Sequence, residues 1–189
     1  PRIGACAATR PRRFFAWAMQ AGYAETDPAQ EVKFMRVETR MQPAALRESE
    51  VHAMLRVTGQ STQGLAKRNY ALVQLLLQSG IRVGELAALK VSDFTLYERS
   101  GWVRVVDGKG RRQREVPLNA TARRAMAAYL ATRPELQPSD CAFLSLRQKP
   151  PSIRSIQKLI TSLARRAKLT RIRVTPHTLR HTFASSFLK

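Results

Sequence analysis

Apolar and polar positions alternate along this chain with two different periods. From Ala66 to Gln78 the residues Ala71, Leu72, Leu75 and Leu76 recur at helical spacing, and Gly80 follows where a left-handed cap would end the helix. A second helix starts within IRVGELAAL. Upstream, ESEVHAMLRVTG predicts a helix, and RRFFAWAMQAG predicts an apolar one followed by a turn at Gly22. In DPAQ, Asp27 can cap and Pro28 can open a short helix. WVRVV at 102–106 and REVPL at 114–118 are short β-type runs joined by DGKGRRQ, the pattern of a hairpin. TARRAMAAYLATR is helical with a start at Thr121, AFLSL reads as a short strand, and SIRSIQKLITSLARRAKL reads as a long basic helix. Thr175 caps a last helix with Pro176 at its first position, where a missing N–H costs nothing. The expected fold class is mostly α with a small antiparallel β-sheet (α+β), without internal repeats.

The charged connector KFMRVETRMQP separates a short first block from the rest. The expected division falls near Pro43, with 1–43 the tail of an all-helical unit plus linker and 44–189 a second domain. A chain of 189 residues has room for such a domain and a real core.

Charge narrows the function classes. Thirty-three Lys and Arg against 13 Asp and Glu leave a net +20, an excess that is hard to keep compact without polyanions against it. Nucleic acid is the expected partner, since Lys and Arg on phosphates release counterions without any base reading. A membrane partner is not expected: ALVQLLL is far too short to span a bilayer, and PRIGACAATRPRR has charge but no apolar run behind it. Cys6 and Cys141 form no ligand-spaced cluster, which fits a reducing cytoplasm and gives no hint of zinc.

Three places could carry chemistry. In TPHTLRHTFASSF, His177 and Arg180 are three apart on one helix face, which sets a proton-transfer group beside a bidentate phosphate clamp. The same pair describes a histidine packed near a surface arginine. In GIRVGEL, Arg82 sits in the bend between two apolar helices, where a long cation either meets an anion or snorkels to solvent beside Glu85. In DGKGRRQ, Lys109 lies between two glycines, placed either to reach a phosphate or simply to be a lysine in a polar turn. Taken singly, each site leaves both readings open.

Taken in order, GIRVGEL, GKG followed by REVPL, and TPHTLRHTFA resemble the tyrosine recombinases, the phage-integrase-like site-specific DNA recombinases. The resemblance runs from about Leu46 to Phe187. QPAALRESEVHAML resembles the family's opening helix, with Arg47 where Ser or Thr is usual, and FFAWAMQAGYAETDPAQEVKFMR resembles the end of its helical core-binding, DNA-clamping domain.

The resemblance implies the tyrosine-recombinase catalytic-domain fold and breakage and rejoining of DNA through a 3′-phosphotyrosyl link. Arg82 and Arg180 would hold the non-bridging oxygens of the scissile phosphate, a task suited to planar, permanently charged guanidinium groups. His177 would assist proton transfer at the nucleophile, and Lys109 would be the general acid to the leaving 5′ oxygen. Glu85 would brace the site, and His181 would be a second, more structural histidine packed against the helix bend. Lys90, Arg111 and Arg112 are further cations expected against DNA. No cofactor and no metal are implied, because the arginines and lysine supply the charge that a cation supplies elsewhere.

The family continues with a further box and a nucleophilic tyrosine. Tyr23, Tyr70, Tyr97 and Tyr129 all precede His177, so the nucleophile is expected to be absent from this chain, which alone should not cleave DNA in cis. The expected partners are double-stranded DNA and, for an intact protein, three further copies in a tetramer on DNA; this chain alone is expected to be monomeric. The expected location is the cytoplasm, on the nucleoid, for a protein encoded by a bacterium, a phage or a mobile element. The alternative is a non-enzymatic DNA-binding protein or degenerate relative. An RNA-binding domain lacks its usual aromatic pairs here, and zinc on His177 and His181 lacks a third ligand.

Overall fold

The computed structural model describes residues 6–28, 45–60, 65–106, 113–133 and 135–187. The chain divides into two compact units, Pro1–Gln42 and Pro43–Lys189.

In the first unit, α1 (Cys6–Gln20) ends in a turn at Gly22, whose φ of 76° is the left-handed region that glycine enters without a Cβ penalty. Ala18 is buried, while Phe14, Trp17 and Tyr23 are exposed and touch one another at ring distances of 5.9 and 5.7 Å. Asp27 and Pro28 are not helical, and the rest of DPAQ and the connector lie outside the described residues.

The second unit is built around α3 (Ala66–Ser79), buried continuously from Ala71 to Leu77. A helix buried on every side must be enclosed by others. Its neighbours are α2 (Glu48–Gly59), α5 (Ala120–Leu130) and α7 (Pro176–Phe187). The short α4 (Val83–Ala88) and the amphipathic α6 (Ile153–Arg166), which buries Ile156, Ile160 and Leu163, complete the helical part. The sheet has the order β1-β2-β3, from β1 (Phe94–Leu96), β2 (Gly101–Val106) and β3 (Gln113–Pro117), all antiparallel. Register Val103↔Val116 sets the buried Val103 on the core face, while Arg104 and Glu115 pair on the other. The fold is the mostly helical one with a small antiparallel sheet that the sequence predicts.

Three details differ from expectation. The cap of α5 is Asn119, whose side chain accepts from Ala122 N, so the helix starts before Thr121. AFLSL is not a strand: Ala142 and Phe143 are buried in a looped segment, with Tyr129 stacked on Phe143 at 5.6 Å. Burial accounts for its apolar residues without any ladder. Finally, Phe94–Leu96 is an extra strand, too short to show a period of two.

Candidate active site

Gly80 ends α3 with φ 58° and ψ 22°, and Ile81, 1% exposed, sinks into the core. That anchor turns the next side chain outward. Arg82 becomes the N-cap of α4, with its side chain 58% exposed. One turn on, Glu85 closes the helix start by accepting from the Arg82 backbone N–H at 2.7 Å. Only this acidic half of a capping box operates, because an arginine side chain has no acceptor.

Glu85 does more than cap. Its Oε1 accepts from Arg82 Nη1 and Arg114 Nη1, both at 3.0 Å, and its Oε2 accepts from Arg114 Nη2 at 2.7 Å. The Glu85 side chain is 7% exposed, so this is no ordinary surface pair. Burial pushes the carboxyl up, but the hydrogen bonds from Arg114 and from both the backbone and side chain of Arg82 outweigh it and hold the pKa at about 2.

The second arginine arrives on α7. Thr175 Oγ1 accepts from Thr178 N at 3.2 Å and Thr178 Oγ1 accepts from Thr175 N at 3.1 Å, a reciprocal cap at the predicted start. Buried Leu179 fixes the helix rotation, and Thr182 fastens it by accepting from Leu46 N at 2.9 Å. With that face inward, His177 is exposed at the rim and Arg180 is half-buried. The Arg180 Nη1 donates to the Gly80 carbonyl, which ties this arginine to the bend carrying Arg82.

Ile81, Arg82, Val83, Pro176, His177 and Arg180 therefore line one cavity of about 420 Å³. Among the described residues the lining holds two guanidinium groups, an imidazole and no carboxylate, a set whose charge and donors suit a tetrahedral oxyanion such as a phosphodiester. His181 turns toward His177: their Nε2 atoms are 2.7 Å apart and their rings meet edge to face. At that distance one nitrogen donates and the other accepts.

Lys90 is not brought into this cavity. It caps a 3-10 turn, Val91–Asp93, and lines a neighbouring cavity of about 330 Å³ with Glu85, Asp93 and Arg104. Lys109, Arg111 and Arg112 lie outside the described residues, between β2 and β3 in sequence. None of the four tyrosines lines the cavity, and Tyr129 is buried beside Phe143. Among the described residues no group of three or more His, Cys, Asp or Glu gathers as a metal site. Sequence reasoning does not find Arg114. Its only signal there is an arginine on a polar-facing strand position, and its partner is 29 residues away.

A model of the phage integrase family matches residues 44–189. The chain belongs to the phage integrase family. Among curated relatives this integrase-family chain is 34% identical over 178 residues to the tyrosine recombinase XerC of Neisseria gonorrhoeae, covering 94% of the chain and 57% of that protein. It is 34% identical over 182 residues to the tyrosine recombinase XerD of Halalkalibacterium halodurans, covering 94% of the chain and 59% of that protein. The chain thus spans less than two thirds of the length of these relatives. The crystal structure of XerA recombinase matches with a TM-score of 0.69 at 27% identity over 98% of this chain and 69% of that one. A lambda integrase dimer bound to a COC′ core site shares the fold, with a TM-score of 0.72 at 16% identity over 97% of this chain and 51% of that one.

Proposed function

We propose that residues 44–189 form the DNA-cleaving domain of a site-specific recombinase, and that residues 1–43 are the end of its DNA-clamping domain plus linker. The observation that carries this reading is the single cavity in which Arg82, from the α3–α4 bend, meets His177 and Arg180 from α7. Binding alone tolerates any cation at these positions, whereas transition-state stabilisation needs two fixed forks aimed at one phosphate.

In the proposed reaction a tyrosine oxygen attacks the scissile phosphorus, a 3′-phosphotyrosyl bond forms, and the bond to the 5′ oxygen breaks. Arg82 and Arg180 hold the non-bridging oxygens as negative charge builds on them. His177 receives the tyrosine proton, and Lys109 donates a proton to the departing 5′ oxygen. Attack by a 5′ hydroxyl of a partner duplex reverses each transfer. The link conserves the phosphodiester energy, so no ATP is consumed. The proposal takes the tyrosine from outside residues 1–189.

Double-stranded DNA as partner is supported by the net charge of +20 and by the lambda integrase bound to its core site. Assembly as a tetramer on DNA and a location in the bacterial cytoplasm belong to the same proposal. No described helix is long and apolar enough to cross a membrane.

Covalent capture tests this function. The whole protein, incubated with a duplex carrying its site and a nick that lets the short product escape, should retain one strand by its 3′ end and release a 5′ hydroxyl. Tight duplex binding with no covalent adduct would instead make it a DNA-binding relative without cleavage.

A further inference from the structure

Arg114 stands outside the cavity, yet both oxygens of Glu85 are divided between it and Arg82. Oε1 accepts from one nitrogen of each arginine, and Oε2 accepts from Arg114 Nη2 and from the Arg82 backbone N–H. The charges of this cluster set what Arg82 can offer a phosphate. A nearly buried carboxylate facing one guanidinium forms a neutral pair, and the anion it already holds competes with any phosphate. Counted over these three side chains, one carboxylate between two guanidiniums leaves one positive charge, and the more exposed guanidinium, that of Arg82, is the one lining the cavity. The fork of Arg114 is the better fit to the carboxylate, with two bonds at 3.0 and 2.7 Å against a single side-chain bond from Arg82 at 3.0 Å.

We propose that Arg114 is a positioning residue that neutralises Glu85, so that Glu85 can orient Arg82 without cancelling its charge. The inference rests on the reading of Arg82 as a phosphate clamp. Arg114 reaches the clamp from β3 through its two hydrogen bonds to Glu85.

The test is single-turnover cleavage by the whole protein, with duplex affinity measured alongside. Arg114→Gln, which keeps a donor to Glu85 but removes the charge, should slow cleavage by about 30-fold while changing duplex affinity by less than about twofold. Arg114→Lys restores the charge but not the fork, and should recover part of the loss, cleaving at least about threefold faster than Arg114→Gln. Adding Glu85→Gln to Arg114→Gln removes the uncompensated carboxylate, and should raise the rate at least about threefold over Arg114→Gln alone. A purely structural role would make that second lesion harmful or neutral. Parental rates in Arg114→Gln, equal defects in the Gln and Lys variants, or no recovery in the double variant would each overturn the inference. Arg82→Ala separates this from the underlying reading: if its cleavage is also unreduced, Arg82 is no clamp.

Discussion

Arg180 on α7 donates from its guanidinium to the carbonyl oxygen of Gly80, 100 residues earlier, at the end of α3. The bond makes the backbone of the α3–α4 bend part of the mounting of both arginines, since Arg82 follows Gly80 by two residues. Gly80 is held there twice over, by its left-handed φ of 58° and by the ring of Phe183, which occupies the space a Cβ would need.

Gly80→Ala should therefore destabilise the fold by about 2–4 kcal/mol, combining left-handed strain with overpacking. Urea unfolding measures this. Phe183→Leu in the Gly80→Ala background should return part of the loss, since it relieves the collision and leaves the backbone strain. Parental stability in Gly80→Ala would show that the bend is not constrained as described.

The Glu85 carboxyl gives a stability change with a defined pH window. Its value in the folded protein, about 2, lies below the ordinary 4.5. A group depressed by folding contributes stability that is full above its unfolded value and is lost as pH falls through the folded one. Unfolding free energy should then decline from about pH 4.5 to about pH 2. Its share is on the order of 2 kcal/mol, discounted for the solvent around its two part-exposed arginines. Glu50, lowered by its hydrogen bond from Arg171, acts in the same direction, so the measurement is the difference between parent and Glu85→Gln. The variant should have the flatter acid limb; identical limbs would mean that Glu85 is not held as an anion.

Lys109 has a chemical signature as a general acid. Lys109→Ala should slow cleavage of an ordinary duplex, and a bridging sulfur at the 5′ position, which leaves without a proton, should restore the rate. The same defect on both substrates would remove Lys109 from that role.

Lys90, Arg111 and Arg112 are proposed to touch the DNA backbone. Replacing any one of them by alanine should reduce the slope of log affinity against log salt by about 0.9 for each phosphate that the side chain neutralises, with little change in sequence preference. An unchanged slope would take that residue off the phosphates.

Much of this architecture is legible in the sequence because periodicity and punctuation agree. Gly80 closes α3, and Pro176 opens α7. The paired strands of REVPL and WVRVV show themselves by β-type residues on either side of a polar run that contains two glycines. Phe94–Leu96 does not, since three residues carry no period and its partner Gly101–Val103 is defined only after folding. The cations proposed for the site are visible individually, but what mounts them is not. Arg47 and Glu50, Arg82 and Glu85, and Lys90 and Asp93 repeat one device, an acid accepting from the backbone N–H of a cation three residues earlier. That half can be read by spacing. The second half is a distant arginine on each acid, Arg171, Arg114 and Arg104 respectively, and no local pattern announces those partners.

Arg82 and Arg180 are proposed to grip one phosphate. The most direct measurement of this is single-turnover cleavage of a nicked duplex by the whole protein carrying Arg82→Ala or Arg180→Ala, at saturating protein. Loss of either fork should lower the rate by about a hundredfold or more with the duplex still bound. An undiminished covalent yield from either variant would contradict a shared phosphate site.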